Sequence, residues 1–206
     1  MRLDLSSMKP RDSYAWLTST IFPRPIAWVS TISAEGKTNL APFSFFQGVT
    51  SQPPSLLFVA VNTRDGSPKD TVRNLALVPE FVVNVVPYAL AETMNSTAAM
   101  LPYGESEFSA FQVESAPSET VRPPRVAKSP ASFECVVHQI VPVGQGPAGA
   151  SVVIGLVKSL HIDDAVLGAD GLPDPAKLDL IGRMGGELYA RTTETFTIAR
   201  PDRKKA

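Results

Sequence analysis

The sequence predicts a mainly β protein, an antiparallel barrel or sandwich with a few peripheral helices. Three observations lead there. Short runs rich in β-branched and aromatic residues recur along the chain, among them SLLFVAVN at Ser55–Asn62 and FVVNVVP at Phe81–Pro87. Most of the 19 prolines fall between such runs rather than within them, which is how strands are punctuated. Strands and helices do not alternate regularly, which argues against a doubly wound parallel sheet.

The elements follow in chain order. Asp12–Thr20 reads as a short helix and Ile26–Ser33 as a strand. Ala34-Glu35-Gly36-Lys37 is a hairpin turn, with Gly36 able to take a positive φ. Thr38–Phe46 is a strand bent or placed at an edge by Pro42. Ser55–Asn62 and Phe81–Pro87 lack polar alternation, as strands buried on both faces do. Between them Pro68–Val78 is a helix, with Ser67 as N-cap, Pro68 at N1, Asp70 at N3 and Pro79 beyond its end. Ala89–Leu101 is a second helix, striped by Leu90, Met94, Ala98 and Leu101. Residues 102–130, rich in Pro, Ser and Glu, read as a surface excursion. Strands are expected at Phe133–Val143, Ser151–Ile162 and Thr192–Ala199, and a short helix at Asp174–Ile181.

The chain of 206 residues suits a single domain, with its core at about 20–199 and a charged tail at 200–206. A formal net charge of −1 lacks the basic footprint of a nucleic-acid binder. One cysteine, Cys135, excludes an intramolecular disulfide, and only two histidines, His138 and His161, leave little for a zinc cage, so no metal is expected. The N-terminal stretch has no apolar run of signal-peptide length, and no segment nears the ~18 apolar residues of a membrane span. The expectation is a cytoplasmic protein, with the sequon Asn95-Ser96-Thr97 coincidental.

Some motifs are discounted by their context. Gly144-Gln145-Gly146-Pro147-Ala148-Gly149 fits the dinucleotide-binding glycine pattern, but a strand follows it instead of a helix, so it reads as a hairpin loop. Cys135 and His138 stand three apart in a strand and face opposite sides, which suits a core thiol better than a nucleophile pair.

Two stretches carry more chemistry. From Asn62 to Thr71 a strand end, a glycine turn and a helix start occur in succession, with Arg64, Ser67, Lys69 and Thr71 supplying cationic and hydroxyl donors. Helix starts present unpaired amides and the positive dipole end, so this is a candidate site for a phosphate monoester. On local pattern alone the plainer reading is an ordinary capped helix with solvent-facing charges. The second stretch is Asn39–Phe46, NLAPFSFF, where Pro42 interrupts the ladder and three aromatics follow. It could wall a planar heteroaromatic, or Phe43, Phe45 and Phe46 could simply fill the core.

The ordered set of segments resembles the flavin reductase-like family with the FMN-binding split-barrel fold, from about Pro23 to Arg191. The residues that carry the resemblance are Pro23–Thr31 (PRPIAWVST), Asn39–Phe46, Pro53-Pro54, Lys69-Asp70-Thr71 and Asn74, then Ser129-Pro130, Phe133-Glu134-Cys135, Gly155 with His161, and Arg183–Tyr189 (RMGGELY). The resemblance implies a Greek-key split β-barrel that forms a homodimer and binds FMN at or near the dimer interface. It implies hydride transfer from NADH or NADPH to the flavin, in some members to supply a partner monooxygenase. The alternative is a flavoenzyme that keeps FMN and reduces another acceptor, or an FMN-binding protein without activity. On this resemblance Arg64, Ser67, Lys69 and Thr71 hold the phosphate, with Asp70 among the cofactor-binding residues, while Ser44, Phe45 and Phe46 line the ring. Arg24, Pro25, Ile26 and Ala27 lie near the flavin, with Thr31 and Asn62 as further contacts. His161, Arg183 and Tyr189 fall on the nicotinamide or acceptor side. No catalytic acid or base is required, because the flavin carries the hydride; His161 is the one candidate proton donor.

Overall fold

The computed structural model describes residues 1–201; the end of the expected tail, residues 202–206, lies outside them. Helix α1 (Pro10–Thr20) opens with proline at its first turn, where the missing N–H costs nothing. The strands then run β1 (Arg24–Pro25), β2 (Ala27–Ile32), β3 (Thr38–Phe43), β4 (Phe46–Ser51) and β5 (Pro54–Val61). Helix α2 (Asp70–Leu77) leads to β6 (Glu80–Asn84) and α3 (Ala91–Ser96). Beyond α4 (Glu107–Ala110) come β7 (Ser115–Ala116), β8 (Arg125–Val126), β9 (Ala131–Val143) and β10 (Ala150–Ile162). Helix α5 (Pro175–Leu178), β11 (Ile181–Arg183) and β12 (Tyr189–Arg191) complete the described chain.

Seven strands form one antiparallel sheet in the order β3-β2-β6-β9-β10-β5-β4. Its two edge strands, β3 and β4, are consecutive in the chain, so the sheet curls until its edges nearly meet and remains split there. This is the expected Greek-key split barrel. Only Ser44 and Phe45 bridge the gap; neither lies within a strand, although the Phe45 carbonyl still accepts the Val59 amide of β5 at 2.9 Å. The expected strand Thr38–Phe46 is thus two strands with a break two residues past Pro42. Small sheets β1-β11-β12 and β7-β8 pack outside.

Ala27, Val29, Phe58, Phe81, Val83, Cys135 and Val153 fill the barrel. A second cluster, of Trp28, Leu40, Met94, Phe108, Val113 and Val126, lies on the other face of β2 and β3. That cluster corrects one expectation. Residues 102–130 are not merely a surface excursion, because Phe108, Val113 and Val126 bury against the sheet. Gly155 sits where the interior is tightest: a Cβ there would stand 2.8 Å from Phe81 Cε1. The β9–β10 register skips His138 and Lys158, one bulge on each strand, and leaves His138 exposed while Cys135 is buried.

Three element boundaries also differ from expectation. Helix α2 starts at Asp70, not Pro68, because the Ser67 hydroxyl is bonded to Asp65 Oδ1 at 2.6 Å instead of capping the helix. Helix α3 is shorter than Ala89–Leu101: it ends at Ser96, where Thr97 takes over its last hydrogen bonds. No strand forms at Thr192–Ala199. Phe196 is 86% and Ile198 78% exposed, with no strand beside them. The ladder there is made instead by Ile181–Arg183 with Tyr189–Arg191.

Candidate functional site: a groove across the split of the barrel

A turn links β5 to α2. Gly66 adopts φ +86°, a conformation that L side chains avoid, and lets the turn close. The Thr63 and Ser67 hydroxyls and the Ser67 amide surround Asp65, and together they hold its carboxyl down at about 2. The loop Gly144–Gly149 props this turn from behind. Asn62 Nδ2 donates to Gly146 O at 3.0 Å, the Asn62 amide donates to Gly149 O at 2.9 Å, and a Cβ on Gly66 would meet Gly146 Cα at 3.1 Å. The glycine-rich motif is therefore a support for the candidate anion site and not itself a cradle.

The first turn of α2 carries no side-chain cap, so its leading amides face outward. They open on a cavity of about 250 Å³ lined by Asn62, Arg64, Lys69, Asp70, Thr71 and Glu107, with Pro42 as floor and Thr97–Leu101 as the opposite wall. Asn39 Nδ2 donates to Thr71 Oγ1 at 3.1 Å, which leaves the Thr71 hydroxyl proton for an acceptor in the cavity. Asp70 pairs with Arg73 at 3.3 Å. Glu107 is only 6% exposed and accepts the Leu40 amide at 2.7 Å. Burial raises its pKa; the Leu40 amide opposes this, Asp70 adds to it and Lys69 opposes it.

A second cavity, of about 280 Å³, adjoins the first, and the two share Pro42 and Ala98 as lining. Its other walls are Tyr14, Ile26, Ser44, Met94, Asn95, Arg183 and Tyr189. The pair form one groove running over the gap between β3 and β4. One end is cationic and rich in donors; the middle is apolar; the far end carries Arg183 and Tyr189. The Arg183 guanidinium lies 4.5 Å from the Tyr189 ring centre and donates to the Tyr189 hydroxyl and to Gly186 O, the latter at 2.7 Å. Tyr189 in turn donates to Asn95 Oδ1 at 3.1 Å.

The groove thus gathers Ile26, Ser44, Asn62, Arg64, Lys69, Asp70, Thr71, Arg183 and Tyr189. Other expected site residues stand behind it. Arg24 is buried and braces the far end, donating to Thr18 O, Ile21 O and Met184 O at 2.6–2.8 Å. Ala27 is in the core, and Thr31 accepts from Asn74 Nδ2 at 3.1 Å beneath α2. Pro25 is exposed on β1. Phe45 packs edge-on against Tyr14, with ring centres 6.3 Å apart, and Phe46 joins the core. Ser67 spends its hydroxyl on Asp65. His161 is not brought to this groove within the chain: it lines a separate cavity of about 340 Å³ with Lys128, Ser129, Asp163 and Asp164. Sequence reasoning named the stretch that holds Asn39 and Pro42 as a candidate wall, but it missed Asn95, Glu107 and the Thr97–Leu101 wall as lining. None of these left a local signal.

Among the described residues no group of three or more His, Cys, Asp and Glu side chains could hold a metal ion, and no helix is long and apolar enough to cross a membrane. Residues 18–177 match the flavin reductase like domain family. An uncharacterized protein of Deinococcus radiodurans is 40% identical over 96% of this chain and 88% of its own length. Nitrilotriacetate monooxygenase component B from Bacillus cereus superposes with a TM-score of 0.91 at 30% identity, covering 96% of this chain and 98% of that one. The 2-nitrobenzoate 2-nitroreductase NbaA of Pseudomonas fluorescens follows with a TM-score of 0.85 at 28% identity, over 98% and 96%.

Proposed function

We propose, for a chain that belongs to the flavin reductase-like family, that it is an FMN-dependent oxidoreductase accepting hydride from NADH or NADPH. The observation that carries this reading is the continuous groove. Its donor-rich end matches a phosphate monoester, its apolar middle matches a flat ring system, and its far end stays open to a second reactant.

The residues fit FMN on chemical grounds. Lys69 and Arg64 supply positive charge, the uncapped start of α2 supplies amides, and Thr71 supplies a hydroxyl proton. Pro42, Ala98, Ile26 and Met94 offer apolar contacts to a ring. When bound, the flavin supplies the hydride chemistry that no side chain can. The chain's own part would be to hold the phosphate with Lys69, Arg64 and Thr71, to offer Pro42 and Ser44 to the ring, and to receive the second reactant beside Arg183 and Tyr189.

The reading extends to a cytoplasmic homodimer with FMN near its interface. Exposed apolar side chains on α1 (Trp16, Leu17) and just after it (Ile21) are in keeping with a second copy. Likeness to component B of a monooxygenase supports supply of reduced flavin to a partner oxygenase. In a dimer, the partner's copy of the His161 cavity is the place to look for a proton donor.

The test is direct. Protein plus FMN oxidises NADH or NADPH, with a hyperbolic dependence on flavin. No turnover with either nucleotide overturns the reading. Yellow protein as purified, with poor turnover of added flavin, favours retained FMN and a different acceptor.

A further inference from the structure

The far end of the groove has a charge that the fold leaves unanswered. Arg183 has neighbours that are neutral: the Tyr189 ring and hydroxyl and the Gly186 carbonyl. Arg24, just behind it, is 4% exposed, its nitrogens Nη1 and Nη2 are held by carbonyls alone, and its Nε is buried without a partner. Among the described residues neither guanidinium has a carboxylate within 4.0 Å. The cavity wall itself holds no Asp or Glu, only Tyr14, Ile26, Pro42, Ser44, Met94, Asn95, Ala98 and Tyr189 beside Arg183. The neighbouring cation Arg191 is treated differently: it is neutralised by Asp179 through two contacts, of 2.5 and 2.6 Å.

A cation kept at a cavity wall with no counter-charge, and backed by a second buried cation, focuses positive potential into that cavity. Arg24 crosslinks the end of α1, which carries Tyr14, to Met184, which follows Arg183. It is a positioning residue that fixes two walls of the cavity and adds charge. Stacking on Tyr189 orients the planar Arg183 fork, a geometry suited to two oxygens of one oxyanion. The phosphate of FMN is not this anion if it sits at the Lys69 end, on the other side of Pro42 and Ala98.

We propose that Arg183, held by Tyr189 and backed by Arg24, binds an oxyanion of the second reactant, so that this site selects reactants bearing a carboxylate or phosphate beside the group that exchanges hydride. This rests on the reading of the groove as an FMN site. Two sources share the chemistry: a carboxylate on an acceptor, or the pyrophosphate of the nicotinamide donor.

The test is equilibrium binding to the FMN-loaded protein, read as a difference spectrum of the flavin, with benzoate and its neutral isostere benzamide as probes. Wild type binds benzoate about tenfold or more tightly than benzamide, as a charge-assisted contact requires. Arg183→Gln brings the two probes level, and Arg183→Lys restores part of the preference. Displacement of benzoate by ADP-ribose assigns the site to the donor's pyrophosphate; binding of both together assigns it to an acceptor carboxylate. Equal binding of the two probes by wild type overturns the proposal. So does a preference unchanged in Arg183→Gln, including the case where that variant alters only the flavin's reduction potential. FMN affinity is read separately by quenching of flavin fluorescence, so failure of the cofactor assignment appears there and not as a loss of probe selectivity.

Discussion

The indole Nε1 of Trp28 donates to the Thr97 hydroxyl at 2.9 Å, and that hydroxyl donates to Met94 O at 2.7 Å. One buried bond thus joins the core strand β2 to the residue where α3 ends and the groove wall begins. Thr97→Val keeps the shape but leaves the indole N–H unpaired. The expected loss is about 1–3 kcal/mol in denaturant unfolding, together with weaker FMN binding as the wall loosens. Unchanged stability would show that the indole finds another partner.

Glu107 sets the pH response of the phosphate end. Its carboxyl is raised mainly by burial, so once ionised it opposes a dianion held by Lys69 and Thr71. Glu107→Gln still accepts the Leu40 amide but removes the charge. FMN should bind the variant more tightly at pH 8, by about fivefold or ~1 kcal/mol, and riboflavin should gain much less. The stability argument has the same sign. A carboxyl raised by folding disfavours the native state above its unfolded pKa of about 4.3, so the variant gains stability at neutral pH and not in acid. Titrating both flavins at pH 5 and pH 8 checks this.

Glu134 behaves in the opposite way. Burial raises its pKa, but bonds from the Thr120 hydroxyl and the amides of Glu119 and Thr120 outweigh that and hold it below its ordinary value. The stability it contributes is present above the unfolded pKa, about 4.3, and is lost as pH falls toward the lower folded value. Glu134→Gln should therefore lower stability at pH 7 and flatten the acid limb of the unfolding profile. A limb as steep as that of wild type would place the acid sensitivity elsewhere.

Gly155→Ala tests the tightest contact in the core, a Cβ set against the Phe81 ring and 3.4 Å from Cys135 Cβ. Overpacking should cost about 1–3 kcal/mol, seen as a lower melting temperature. Cys135, fully buried and with its thiol pKa raised by burial and by Glu134, should react with a thiol reagent only after unfolding. Rapid labelling of the variant but not of wild type would show the core opening.

Where the pattern was local, the sequence was readable. β-branched runs predicted the bounds of β5, β6, β9 and β10 to within three residues, and Pro68 with Lys69-Asp70-Thr71 predicted the start of α2 to within two. What failed depended on distant partners. Ser67 looks like a cap until Asp65 claims its hydroxyl. Residues 192–199 alternate like a strand but find no neighbour to pair with. Residues 102–130 look like a polar excursion until Phe108 and Val126 meet Trp28. Glu107 joins the groove only because α4 packs on β3, a contact across 67 positions that no local pattern carries. The resemblance grouped His161 with Arg183 and Tyr189, but within one chain they line different cavities.

The central claim is that a phosphate monoester docks where the β5 turn meets α2. It is tested most directly by titrating FMN and riboflavin against wild type and Lys69→Ala. The account predicts that the variant loses about 1.5–3 kcal/mol of FMN affinity, with riboflavin binding nearly unchanged. Equal losses for the two flavins, or no loss for FMN, would contradict it.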